Sequence, residues 1–114
     1  MISQSENIES NLSIQNEVIN NETFSGSLIT GADFLYVTFS NTTFNACTFF
    51  ASNLMNCIFE NCEFIGCEFR FSKIENCKFE YSVFENCKWE SSRMRATIVY
   101  ECTLDTHLIE EIAA

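Results

Sequence analysis

The chain has 114 residues, 46% of them hydrophobic, enough to bury the core of one domain. Sixteen acidic residues against six basic ones leave a net charge of −10, which repels phosphate backbones and argues against direct nucleic-acid binding while suiting a basic protein partner. No stretch approaches the roughly 20 apolar residues of a membrane span, and seven cysteines, an odd number, speak for free thiols in a reducing compartment.

Residues 1–21 are read as an N-terminal cap or a degraded first coil. Met1 to Ser10 is polar and acidic and lacks a basic or apolar targeting segment, so a cytoplasmic protein is expected. Ile14 and Ile19 already keep the five-residue phase of the apolar positions from Phe24 onward.

From Phe24 to Ile109 every fifth position is apolar, eighteen without exception, and ten of the twelve phenylalanines stand there. Two residues before each centre, positions 27 to 102 in steps of five hold only Ser, Ala, Val, Thr or Cys, and all seven cysteines fall in this series. Within Asn61-Cys62-Glu63-Phe64-Ile65, a short extended segment points Cys62 and Phe64 to the same side. The next inward residue, Cys67, is three steps on, so the chain must turn between them. A chain that turns at every fifth residue and always buries one side winds into a coil whose strands pair with the coils above and below. A twenty-residue coil gives the most uniform columns: Cys47 on Cys67 and Cys87, Cys57 on Cys77, Phe24 on Phe44, Phe64 and Phe84. Four corners per coil are therefore expected.

The units Ala32-Asp33-Phe34, Ser52-Asn53-Leu54, Cys62-Glu63-Phe64 and Cys67-Glu68-Phe69 resemble the pentapeptide-repeat family, in which a small residue stands two before a central Leu or Phe. The resemblance runs over positions 22–109 and implies an all-β fold, a right-handed quadrilateral β-helix of about 4.5 to 5 coils, with the repeat domain at 22–106. It tilts toward a Phe-rich and Cys-rich branch, some members of which resemble DNA and protect type II topoisomerases. The remaining residues, 107–114, are expected to cap the last coil, Leu108, Ile109 and Ile112 having the spacing of a short terminal helix.

The inward residues Phe44, Phe49, Phe59, Phe64, Phe69, Phe79, Phe84 and Trp89, with Cys47, Cys57, Cys62, Cys67, Cys77 and Cys87, are expected to form a filled structural core. Consecutive cysteines such as Cys57, Cys62 and Cys67 lie on different faces, so they do not converge as zinc requires. Stacked cysteines sit about 4.8 Å apart, too far for a disulfide. His107, the single histidine, has no acid or nucleophile that the repeat places beside it, and no cofactor fingerprint occurs. No catalytic, metal or cofactor site is expected.

Outward positions carry what functional information there is. Glu60, Glu63, Glu80, Glu85, Glu101 and Asp105 form a candidate acidic binding side on two neighbouring faces, opposed there only by Lys78. Lys73, Arg93 and Arg95 gather on another face. Tyr81, Val83, Ile98 and Tyr100 form a candidate self-association patch, pointing to a homodimer, and Leu35, Phe50, Met55 and Phe71 a looser apolar group. The sequence thus predicts a noncatalytic acidic rod that acts as a protein–protein interaction scaffold with an unidentified partner. The alternative, resting on the resemblance, is a DNA mimic that binds DNA gyrase or topoisomerase IV.

Overall fold

Strands of three residues alternate with two-residue corners in a computed structural model of the chain, which describes residues 8–10 and 12–104. The strands run from Ile8–Ser10 to Ile98–Tyr100, and there is no helix among the described residues. Each pairs in parallel with the strand twenty residues away, as Phe44 does with Phe64 and Phe64 with Phe84. The result is a solenoid with four flat faces, built from sheets of five, five, five and four strands. The first face contains Leu28–Thr30, Thr48–Phe50, Glu68–Arg70 and Lys88–Glu90; the second contains Asp33–Leu35, Asn53–Met55, Lys73–Glu75 and Arg93–Arg95. The third contains Thr38–Ser40, Ile58–Glu60, Lys78–Glu80 and Ile98–Tyr100, and the fourth contains Thr43–Asn45, Glu63–Ile65 and Val83–Glu85.

The corners depend on backbone geometry. The residue two after each buried centre is in the left-handed region, from φ 48° at Ala96 to 65° at Gly26. Asparagine and glycine, which tolerate this conformation, hold ten of the eighteen such positions. No atom lies within 4 Å of where a Cβ would stand at Gly26 or Gly66, so glycine serves the dihedral there and not a close approach. Corner and strand amides both reach neighbouring coils: Asn61 donates its N–H to Glu80 O at 2.9 Å, and Glu63 donates to Thr42 O at 3.0 Å.

The core is a set of stacked rings. Phe39, Phe59 and Phe79 follow one another with centroids 4.7 and 4.5 Å apart and planes within a few degrees. Phe44, Phe64 and Phe84 stack at 4.9 and 4.7 Å, and Phe49, Phe69 and Trp89 at 4.9 and 4.3 Å. Neighbouring columns meet edge to face, as Phe59 does with Phe64 at 5.5 Å, the arrangement that ring quadrupoles favour. The second face differs, with the column Ile14, Phe34, Leu54, Ile74 and Met94. Trp89 continues a phenylalanine column but leaves its Nε1 buried with no hydrogen-bond partner among the described residues.

The small inward residues are polar for a reason beyond size. Ser72 Oγ donates to Phe49 O at 3.0 Å one coil below and accepts the Ser52 N–H at 3.1 Å, while Ser72 N–H is itself taken by Ser92 Oγ at 2.8 Å. These are the buried donors that the strand ladders leave over, and an unmet one costs about 1–3 kcal/mol. Leu12, Glu17 and Glu22 interrupt the small-residue series, yet their carbonyls still accept the Asp33, Thr38 and Thr43 amides at 2.8–2.9 Å. Coil geometry therefore extends down to Ile8. The expected cap at 107–114, with its short helix, and His107 lie outside the described residues.

Candidate interaction surfaces

The thiols are embedded in the wall. Cys62 Sγ donates to Phe39 O at 3.3 Å, and Cys77 Sγ to Leu54 O at 3.2 Å. Cys47, Cys57, Cys62, Cys67, Cys77 and Cys87 are buried and unbridged; only Cys102, near the upper end, is half-buried. Burial pushes the Cys62 thiol up to about 11. Cys67, hydrogen-bonded between Cys47 and Cys87, and Cys77, bonded to Cys57, are pushed well above the ordinary thiol range by those contacts and by burial. Held protonated, these three thiols are poor nucleophiles and poor metal ligands, whereas Cys47 and Cys57, which accept from Cys67 and Cys77, are drawn below the ordinary thiol range. Among the described residues, no three of His, Cys, Asp and Glu converge as a metal site.

The outer surface of the third and fourth faces carries the acids. Glu60 lies directly below Glu80 in the strand register, with Tyr100 above both. Glu80 is tied to Lys78 at 3.3 Å, its side chain 22% exposed. Glu63 accepts a hydrogen bond from Thr43 Oγ1 at 3.4 Å and lies below Val83, while Glu85 lies above Ile65. Glu60, Glu63, Glu85 and Glu101 are exposed, and Glu101 turns the corner after Tyr100. Below Tyr81 the same corner is neutral at Asn61, Asn41 and Asn21, with Asn61 Nδ2 donating to Asn41 Oδ1 at 2.7 Å, and half-buried Glu22 follows Asn21 in the lowest coil. Asp105 lies outside the described residues.

Beside the acids sits an aromatic step. Tyr81 and Tyr100 meet edge to face at 5.7 Å, and Tyr81, Ile98 and Tyr100 are roughly half exposed or more. Val83 is half-buried, bridged to Thr103 above. Exposed Ile58 stands in the same register column as Ile98, with Lys78 between them. Of the looser group, Phe50 and Phe71 pack edge to face at 5.6 Å with the Arg70 guanidinium over Phe50, and Leu35 lies below Met55 on the second face. Tyr36, Phe71 and Tyr81 occupy left-handed corners, at φ 56°, 52° and 51°. A large side chain at such a corner is thrown outward, which is why the five-residue pattern holds while the rings stay exposed.

The second face has two shallow concavities. The upper, about 290 Å³, is lined by Ser72, Lys73, Glu75, Ser91, Arg93 and Arg95. The lower, about 300 Å³, has Leu35 and Met55 beside Asp33 and Asn53, whose side chains are bonded at 2.7 Å.

Residues 44–80 match a family model described as pentapeptide repeats, in eight copies. No curated protein matches the sequence. Among solved structures, the chain is similar to the pentapeptide repeat protein Rfr23 from the cyanobacterium Cyanothece 51142, at 7% identity over 87% of this chain and 92% of that one, with a TM-score of 0.49. It is also similar to a trypsin-treated form of QnrB1, a plasmid-mediated fluoroquinolone resistance protein, at 19% identity over 91% and 67% of the two chains, with a TM-score of 0.27.

Proposed function

The chain belongs to the pentapeptide-repeat family, and from that premise we propose that it is a noncatalytic scaffold of the cytoplasm that binds a basic protein partner through the upper third and fourth faces. The observation that carries this reading is the set of acids there, Glu60 and Glu80 in register, Glu63 and Glu101 around the corner between the two faces, and Glu85 at the far edge of the fourth. Only Lys78 sits among them, and among the described residues it pairs with Glu80 alone. Carboxylates on a rigid sheet need no rearrangement to meet a basic surface, and their field speeds encounter. The exposed Tyr81, Ile98 and Tyr100 flank the acids and supply the apolar part of a contact, with a partner or in a homodimer.

The second reading is a mimic of duplex DNA that engages DNA gyrase or topoisomerase IV. Two carboxylates per coil of about 4.8 Å approach the charge spacing of a duplex, about one per 1.7 Å. The acids span three successive coils, however, a rise of about 10 Å or roughly three base pairs. That favours a local basic docking site over a long DNA saddle.

The test is affinity capture from the native host with the wild type and with Glu60, Glu63, Glu80 and Glu85 all changed to Lys, run beside a gyrase supercoiling assay. A basic partner retained only by the wild type supports the scaffold. Salt-sensitive inhibition of supercoiling that the variant loses selects the mimic. A capture pattern and assay that both ignore the charge reversal overturn the acidic-side reading.

A further inference from the structure

Of the six cations of this chain, three fall on the second face, and Lys88 stands above Glu68 on the first. Arg70 is paired with Glu90 at 2.9 Å and Lys78 with Glu80 at 3.3 Å. Lys73, Arg93 and Arg95 take no carboxylate within ion-pair distance among the described residues, although all three line one concavity with Glu75. Lys73 and Arg93 are direct register partners, and Arg95 stands above Glu75. Two cations stacked at the strand spacing of about 4.8 Å repel one another, and in-register like charges destabilise a sheet. Arg93 and Arg95 flank Met94, so both side chains leave the same side of one strand, from Cα atoms about 7 Å apart.

We propose that this upper concavity of the second face binds a phosphate-type oxyanion between Lys73, Arg93 and Arg95. Guanidinium forks present paired N–H donors that match tetrahedral oxyanions, and lysine adds a compact charge. Ser91, exposed at the corner beside Arg93, offers a hydroxyl, whereas Ser72 Oγ is already engaged with Phe49 O and the Ser52 N–H. The volume, about 290 Å³, admits such an ion with its water. The lower concavity of the same face, with Asp33 and no cation in its wall, is the internal contrast. Free phosphate and a phosphorylated side chain present the same chemistry.

The experiment tracks the arginine side-chain Nε–Hε resonances of the full chain during titration with inorganic phosphate, against sodium chloride at matched ionic strength. Phosphate-specific, saturable shifts at Arg93 and Arg95 with none at Arg70 are expected. They should vanish in Lys73→Gln/Arg93→Gln, read on the remaining Arg95, and Glu75→Gln should tighten binding about threefold by removing a nearby negative charge. If the double variant fails to fold, Arg93→Gln alone must weaken binding. A parallel titration with a phosphoserine peptide assigns the source: tighter binding than phosphate points to a side chain, equal binding to the free ion. Shifts that chloride reproduces, or that survive removal of Lys73 and Arg93, overturn the proposal.

Discussion

The second and fourth faces are built on the same backbone and differ in almost every side chain. Behind the fourth stand Phe24, Phe44, Phe64 and Phe84; behind the second stand Ile14, Phe34, Leu54, Ile74 and Met94. The small inward column leading into the second face is Ala32, Ser52 and Ser72, with the two serine hydroxyls accepting the amides of the coil below, and the fourth face is entered through Thr42, Cys62 and Ser82, where Ser82 Oγ takes the Cys62 N–H in the same way. Outside, the second face gathers cations that meet no carboxylate among the described residues, and the fourth carries acids. Identical strand ladders on both sides teach that inward size and corner geometry specify the shape, leaving outward chemistry free to differ from face to face.

The largest test of this division is in the core. Phe64 is wholly buried, stacked between Phe44 and Phe84 and edge to face with Phe59 and Phe79. Phe64→Ala is expected to cost about 4 kcal/mol in denaturant unfolding, and Leu54→Ala, in the aliphatic column, about 3 kcal/mol. Equal or reversed losses would show that ring stacking adds nothing to burial.

Alkaline pH separates the same two faces. The Cys62 thiol is raised from 9.0 to about 11 by burial, so the folded state holds its proton more tightly than the unfolded chain. That contribution is fully present below pH 9 and is lost as pH climbs through about 11. Two pH units correspond to about 3 kcal/mol, and Cys62→Ser should flatten the decline of stability by about that amount. Ser52→Ala, at the matching place of the second face, should lower stability equally at pH 7 and pH 11. A decline unchanged in Cys62→Ser would place the alkaline sensitivity elsewhere in the chain.

Much of this molecule is legible from spacing, because burial acts on every fifth residue without relief. The centre residues, the small inward series and the twenty-residue columns all derive from that one constraint. Two features escape it. Hydroxyl and thiol bonding to the wall, as at Ser72, looks in sequence like a mere preference for small side chains. The left-handed corners leave a weaker trace, since a preference of about 1 kcal/mol for asparagine or glycine is overridden at Tyr36, Phe71, Tyr81 and Glu101. The acids and cations are visible as residues, but their pairing is not: that Lys78 meets Glu80 while Lys73 meets no carboxylate among the described residues depends on side-chain placement within one coil height.

The smallest expected effect separates two corners that share a backbone. Ala51 turns into the second face and Asn61 into the fourth, both at φ 53°, both exposed, each donating its N–H to the coil above at 2.8–2.9 Å. At Ala51 the Cβ bears the cost of the left-handed conformation, about 1–2 kcal/mol, and the exposed methyl offers little packing in return. Glycine removes that cost but makes the unfolded chain freer by about 0.5–1 kcal/mol, so Ala51→Gly should stabilise by about 0.5 kcal/mol. Asn61 already tolerates the conformation, and its Nδ2 holds Asn41 Oδ1 at 2.7 Å. Asn61→Gly therefore forfeits a side-chain hydrogen bond and gains little from the dihedral, and should destabilise by about 1 kcal/mol. Opposite signs in paired thermal melts would confirm that corner residues are selected by dihedral at one corner and by side-chain bonding at the other. A loss at both positions would mean that Ala51 is held by packing, and the division between inward shape and outward freedom would have to be redrawn at the corners.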